Sequence, residues 1–460
     1  MSLKKHFGNL DLQLLTSMFK FALPIMAMNF LQLAFNAADM IVVGRFDGSL
    51  ALGAVGATGS LINLIVNLFM GLSAGTAVVV AQDYGARRTE SIRQSVHTSI
   101  AISIITGFLV AIIGLVFSTS LLEMMGTPHD IIDLSSLYMR IFFLGIPASM
   151  VYNFGAAILR AVGDSKRPMY FLTVSGIVNV ILNFIFVAGF RMGVAGVAWA
   201  TVISQYVTMA LIMTSLTRHE GALRFSWRRL AIHGEKVKEI VRIGLPAGLQ
   251  SVLFSISNVL IQSSVNSFGS VMVAASAASG NVENLVGTTM NAYYNAAITY
   301  TGQSMGSEEY DRIDSIAKIS TVFVFVTWIL IGGGTVLFGR PLLGLYTTDL
   351  AVIDLGMVRL RIMMAIHFAA GMMNVFPGLT RAMGYSMLPM LSTLVGACLL
   401  RILWLVTVFK WYPTMMVLFM AYPVTWTMAG IGQVASFFYA RKQIRKRWVK
   451  TPSAEMVGTR

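Results

Sequence analysis

Apolar runs follow one another along this chain from Phe19 to Tyr439, most of them close to the ~20 residues that an α-helix needs to cross the hydrocarbon core of a bilayer. Hydropathy predicts twelve spans, at 19–43, 50–82, 94–122, 131–159, 168–190, 194–216, 237–268, 270–303, 313–338, 350–377, 389–409 and 415–440. The connections are short and leave little chain for an extramembrane domain. Backbone polar groups in hydrocarbon must find partners within a helix or a closed barrel. Runs of this length therefore predict an all-α polytopic membrane protein. The first run follows basic residues, as a signal peptide would, but it outlasts the 7–15-residue apolar region of such a peptide and more spans follow. It is read as an uncleaved first span.

The polar residues left inside these runs fall into stripes. Asn29, Gln32, Asn36 and Asp39 lie on one face of the first span, and Ser251, Ser255, Asn258 and Gln262 on one face of the seventh. The eighth span carries Asn281, Asn284, Thr288, Asn291 and Asn295, and the pairs Asn63/Asn67 and Asn179/Asn183 sit one turn apart in the second and fifth. Any one amide is explained equally well as glue between helices, since interhelical side-chain bonds average about 0.6 kcal/mol. Five coordinated stripes favour a wet central cavity. Two carboxylates lie deep in spans, Asp39 and Glu283. Burial makes ionisation of such a group costly, so it suits loading by a proton, or by sodium held with Asn and Thr oxygens. Glu283 stands one position off the amide stripe and is also open to a structural ion pair, with Arg401 as the candidate partner.

Composition agrees with the pattern: 56% of residues are hydrophobic and 12% charged, against roughly 25% charged in a soluble domain. The net charge of +14 raises nucleic-acid binding, but the distribution of the charge points elsewhere. With the N-terminus inside, the outer side receives only Arg45, Arg140, Arg191, Arg340, Arg359, Arg361 and Lys410, and Arg401 falls within a span. The inner side takes the rest, including Lys4, Lys5, Arg460 and a cluster from Arg218 to Arg242. This positive-inside bias predicts a multi-pass protein of the inner (plasma) membrane with both termini cytoplasmic and no nucleic-acid partner. The single cysteine, Cys398, can form no internal disulfide and reads as a core residue.

An internal repeat divides the chain. Leu23, Pro24 and Asn36 recur as Leu245, Pro246 and Asn258; Gln82 and Gly85 as Gln303 and Gly306; Arg140 and Asn153 as Arg361 and Asn374. Arg160-Ala-Val-Gly-Asp-Ser-Lys-Arg-Pro-Met169 recurs as Arg381-Ala-Met-Gly-Tyr-Ser-Met-Leu-Pro-Met390, identical at Arg, Ala, Gly, Ser, Pro and Met. Six spans in each half give both copies the same direction, which predicts two pseudo-symmetric six-helix bundles about an axis along the membrane normal, with the substrate path between them. The predicted parts are a first lobe at 1–216, a cytoplasmic linker at 217–236, a second lobe at 237–440 and a basic tail at 441–460.

On these residues the chain resembles the multidrug and toxic compound extrusion family over nearly its whole length. The resemblance rests on Leu23-Pro24, Asn36-Ala-Ala-Asp39-Met-Ile-Val-Val-Gly44-Arg45, Gln82-Asp-Tyr-Gly85-Ala86, Tyr138-Met-Arg140, Leu159-Arg160-Ala-Val-Gly163-Asp164 and Gly193-Val-Ala-Gly196-Val-Ala-Trp-Ala-Thr201. It implies an antiporter of two six-helix bundles forming a V around a cleft, exporting small cationic or amphipathic organic compounds by alternating access in exchange for protons or sodium. It further implies cation coupling at Asp39, with Asn36, Asn179, Asn183 and Thr201 as its surroundings, and bending of the first span at Pro24. Gln32, Phe35, Asn63, Asn67, Tyr138, Asn153, Asn258, Gln262, Glu283 and Asn284 are the candidates for the substrate cavity. No cofactor is expected, and no metal beyond a possible sodium ion. The pattern is nearer the DinF-like branch, but Asn183 stands where that branch often has a second aspartate, and the seventh span lacks the glutamate of NorM-like relatives.

The alternative within the same broader fold group is a lipid-linked oligosaccharide flippase, which would carry a strongly cationic cleft. A major facilitator fits less well, because Asp83-Tyr-Gly-Ala-Arg-Arg88 lacks the full spacing of its loop motif. A membrane enzyme would need convergent reactive groups, and the histidines at 6, 97, 129, 219, 233 and 367 are scattered.

Overall fold

The computed structural model describes residues 11–450; Lys4, Lys5, Arg460 and the predicted tail beyond Lys450 lie outside the described residues. Among the described residues, ten helices are long and apolar enough to cross a membrane. In the first repeat these belong to α1 (Leu12–Phe46), α2 (Gly48–Gly85), α3 (Thr89–Met124), α4 (Ile132–Ala161), α5 (Lys166–Asn183, continuing to Gly189) and α6 (Gly193–Thr217). In the second they belong to α7 (Gly234–Asn266), α9 (Tyr310–Thr327, continuing to Leu337), α12 (Met387–Thr393, continuing to Val406) and α13 (Met415–Lys450).

The two remaining spans fall short of that apolar standard for identifiable reasons. Helix α8 (Ser270–Gly306) is long enough, but its asparagine stripe and Glu283 make it too polar. The tenth span is broken at Ile366, where the backbone turns to φ −122° and ψ 18°, into α10 (Leu350–Ala365) and α11 (His367–Ala382). The chain is thus an all-α polytopic membrane protein with twelve spans, as its hydropathy predicts.

The repeat is written in the backbone as well. Gly163 and Gly384 both adopt positive φ, 97° and 88°, at the ends of α4 and α11. In each turn the following amide reaches back five residues, Asp164 N to Leu159 O at 2.9 Å and Tyr385 N to Thr380 O at 3.1 Å, a glycine-ended helix stop that satisfies otherwise orphaned carbonyls. The turns after α2 and α8 match in the same way: Arg87 and Glu308 both adopt positive φ, with Arg88 N bonded to Asp83 O and Glu309 N to Ser304 O.

Two compact units divide the chain, Ser17–Val252 and, from Leu253 onward, the remainder with the start of α1. In the first, α4 is the hub, packed against α3, α6 and α2. Small residues let these helices approach, as is usual where no hydrophobic effect drives helices together in lipid. A side chain at Gly114 would place its Cβ 2.0 Å from the Phe143 ring, and one at Gly107 2.6 Å from Pro147 Cα. The unit also includes the linker and the first half of α7, whose Gly244 and Gly248 lie against Gly71 and Gly75 of α2 so closely that no Cβ fits. In the second unit α8 packs against α10, α11 and α9, and α13 against α11.

Candidate functional site

In the first unit, the fifth span brings its two asparagines to the junction of α1, α5 and α6. Asn179 and Asn183 are buried at 5% and 0% exposure and sit one turn apart at the end of α5. There the helix widens into i→i+5 turns over Phe184–Gly189, a distortion that often marks functional sites. Asn183 Nδ2 donates to Asp39 Oδ1 of α1 and, at 3.3 Å, to Asn179 Oδ1. Asn179 Nδ2 then lies 3.5 Å from Thr201 Oγ1 of α6, and that hydroxyl donates to Val197 O at 3.0 Å. Gly176 makes the approach of α1 possible, because the Phe35 ring occupies the space where a Cβ would stand.

Asp39, Asn179, Asn183 and Thr201 thus form one hydrogen-bonded chain across three helices. One buried acceptor in it, Asn183 Oδ1, has no partner among the described residues. Buried acceptors are normally satisfied, so an orphan beside a carboxylate marks a place for a donor or a cation. Asn36 lies one turn from Asp39 on α1 but is exposed, and no hydrogen bond joins it to the chain. Tyr138 of α4 is buried, stacks on Phe142 at 6.0 Å, and lies within electrostatic reach of Asp39. Pro24 is buried inside α1, which runs as one helix from Leu12 to Phe46.

The other cavity candidates of this unit stand apart from that chain. Gln32 and Asn63 are exposed and Asn67 is half-buried. Asn153 turns its amide back on its own helix, donating to Ser149 O at 2.8 Å.

In the second unit the structure corrects the expected partner of Glu283. Its carboxylate pairs with Arg359, whose Nη2 donates to Oε2 at 3.2 Å while Nη1 donates to Ser279 Oγ at 2.7 Å. Arg359, assigned by hydropathy to the outer side, is buried on α10 at 8% exposure and faces the rings of Phe419 and Tyr422. Arg401 is fully buried and donates instead to Asn258 Oδ1 at 2.7 Å and Thr425 Oγ1 at 3.3 Å, with its guanidinium over the Tyr422 ring. Asn284 is exposed, along with Asn281 and Asn291, so the α8 stripe turns away from the packed core. Gln262 is exposed and bonds to Asn266. The arginine contacts were missed because charge placement by hydropathy sees only depth along a span, not which helix lies opposite.

Two six-span repeats, each with a polar junction among its helices, define a membrane transporter of the repeat-built class. The MatE family model matches twice, over residues 24–185 and 246–407, beginning at the equivalent prolines Pro24 and Pro246. The chain belongs to the MatE family. It is similar to "Probable multidrug resistance protein YoeA" of Bacillus subtilis, at 29% identity over 81% of this chain and 82% of that protein. It is also similar to "Probable multidrug resistance protein YpnP" of the same organism, at 27% identity over 83% and 85%. The bent form of the Vibrio cholerae MATE transporter VcmN shares the fold, with a TM-score of 0.85 at 23% identity over 94% of this chain and 98% of that one.

Proposed function

We propose that this membrane transporter exports small organic compounds, cationic or amphipathic, by alternating access, and that entry of a proton or a sodium ion at Asp39 drives the cycle. The observation that carries this reading is the chain Asp39–Asn183–Asn179–Thr201 with its unpartnered Asn183 oxygen. A proton on Asp39 turns an acceptor-only carboxylate into a donor. A sodium ion would find oxygen ligands in Asp39 and in the side-chain oxygens of Asn183, Asn179 and Thr201. Asn36 stands a turn away as a further ligand once α1 moves, and bending at Pro24, which removes a backbone donor from that helix, is the proposed means of movement. The multidrug resistance names of the relatives support the substrate class. The basic bias of alternate connections supports a plasma-membrane protein with both termini cytoplasmic. Placement near the DinF-like branch rests on the span-five spacing. The lipid-linked oligosaccharide reading finds no support among these relatives.

Moving one charge through 100 mV supplies about 2.3 kcal/mol, so one coupled cation sustains roughly a fiftyfold gradient of a neutral substrate. Protein in liposomes should expel a fluorescent organic cation when a proton or a sodium gradient is imposed separately, and the productive gradient names the ion. Asp39→Asn keeps the size of the side chain and removes its charge, so it should abolish gradient-driven accumulation while leaving substrate binding in place. Unchanged coupling in a well-folded Asp39→Asn protein would end this assignment.

A further inference from the structure

The segment that joins the repeats is held against the first half of α3. Phe225 stacks on the His97 ring at 5.1 Å, and Trp227 meets Phe225 edge-on at 5.0 Å. His97 Nδ1 donates to Arg93 O, which leaves Nε2 to accept from Ser226 N at 3.1 Å. Seven residues on, His233 N donates to Thr98 Oγ1 at 3.2 Å. Between these two clamps the chain makes one tight turn, Trp227–Arg229, and then runs extended at Leu230.

That path leaves a groove of about 430 Å³ between the segment and α3, lined by Ala101, Ile104, Ile105, Leu230, Ala231 and Ile232. Every lining residue is apolar. Ile105 and Ile232 are more than half exposed, so the groove is open outward, and α3 is one of the helices long and apolar enough to cross a membrane. Arg228 and Arg229, which directly precede the apolar stretch Leu230–Ile232, are exposed and make no ion pair among the described residues. Trp227 is 60% exposed, an amphipathic ring of the kind that settles at headgroup depth. An apolar groove, and just ahead of its Leu230–Ile232 lining two exposed arginines and an exposed tryptophan, together match the two ends of one lipid.

We infer that this groove binds an anionic phospholipid, one acyl chain lying against Ala101, Ile105 and Ile232 and the phosphate and headgroup meeting Arg228 and Arg229. Charge complementarity selects the anionic lipid: near such a surface each basic side chain contributes about fivefold, so the pair should favour it over a zwitterionic lipid by about twenty-five-fold. The clamps keep the segment in place before the lipid arrives, so little ordering is needed on binding.

The test uses the full chain in liposomes of phosphatidylcholine containing acyl-brominated phosphatidylglycerol, with the Trp227→Phe protein measured alongside so that the emission of Trp227 is obtained by difference. Quenching of Trp227 should be reversed by unbrominated phosphatidylglycerol and should require about twenty-five-fold more added phosphatidylcholine. Arg228→Gln/Arg229→Gln, two exposed changes, should erase that preference while keeping some quenching. Ala231→Phe, also at an exposed position, fills the groove and should reduce quenching by both lipids. Equal displacement by the two lipids in the unaltered protein, or quenching unmoved by Ala231→Phe, would overturn the proposal. Inorganic phosphate at millimolar concentration should not relieve quenching; if it does, the arginines hold a free anion and the lipid assignment fails.

Discussion

Replacing Glu283 tests whether the second unit is held together by its buried charges. The carboxylate and the Arg359 guanidinium lie 3.2 Å apart, with side-chain exposures of 17% and 10%, so solvent screens them little. For charge centres about 4 Å apart in a medium of effective dielectric about 20, their attraction is about 4 kcal/mol. Glu283→Gln keeps the shape and one acceptor, and a hydrogen bond from a charged donor returns about 1.5–3 kcal/mol of that. The net loss should then be about 1–3 kcal/mol. Arg401 also feels the Glu283 charge, so this substitution leaves two guanidinia without their carboxylate, whereas Arg359→Gln leaves the carboxylate facing Arg401. Glu283→Gln should therefore be the more destabilising of the two. The double variant should be more stable than the sum of the single losses by about 1–3 kcal/mol, in the range of coupled neighbours. Unfolding of the purified protein in one detergent, followed for all four proteins of the cycle, measures this. Additivity within about 0.5 kcal/mol would refute the ion pair as an energetic unit.

Close helix packing predicts a contrast between two glycines: Gly114→Ala drives a Cβ into the Phe143 ring and should cost about 3 kcal/mol. Gly53→Ala, on α2 with nothing within 4 Å, should stabilise by about 0.5–1 kcal/mol, and thermal unfolding of both checks the order. For orientation, Arg224→Cys and His129→Cys, both at exposed positions in a Cys398→Ala background, should be labelled by impermeant thiol reagents from the cytoplasmic and external sides respectively; the reverse pattern would invert the topology.

Much of this fold was legible because a bilayer simplifies the pattern. Long apolar runs announced all twelve spans, including the two that fall short in the structure, α8 through its polarity and α10–α11 through its break at Ile366. The repeat was legible through residues whose backbone role leaves few alternatives, above all Gly163 and Gly384 in left-handed turns. Asp39, Asn179, Asn183 and Thr201 were grouped through the family resemblance, and the structure brings them into one chain of bonds. What the sequence did not disclose depends on which helix faces which. Arg359 reads as an outer-side charge by depth alone, and only the packing of α10 on α8 brings it to Glu283. Likewise nothing along the chain shows that the linker runs back along α3, since its two clamps join residues far apart in sequence.

The two repeats use the same helices for their polar junctions but fill them with opposite chemistry. In the first unit the first, fifth and sixth spans meet through Asp39, Asn183–Asn179 and Thr201. In the second, the corresponding seventh, eleventh and twelfth spans meet through Asn258, Arg401 and Thr425. An amide on the fifth span leaves its junction with a carboxylate and an unsatisfied oxygen, both acceptors and neither matched by a fixed positive charge. A guanidinium on the eleventh supplies the cation permanently, tethered to the backbone and bonded to the same kinds of oxygen, an amide and a threonine hydroxyl. A junction whose positive charge cannot leave has no means of loading and unloading an ion. This contrast supports reading Asp39 as the exchangeable position and Arg401 as a fixed counterpart. The same contrast explains why Glu283, although a membrane carboxylate, lacks Asp39's setting: its charge is already matched by Arg359, with Arg401 in reach.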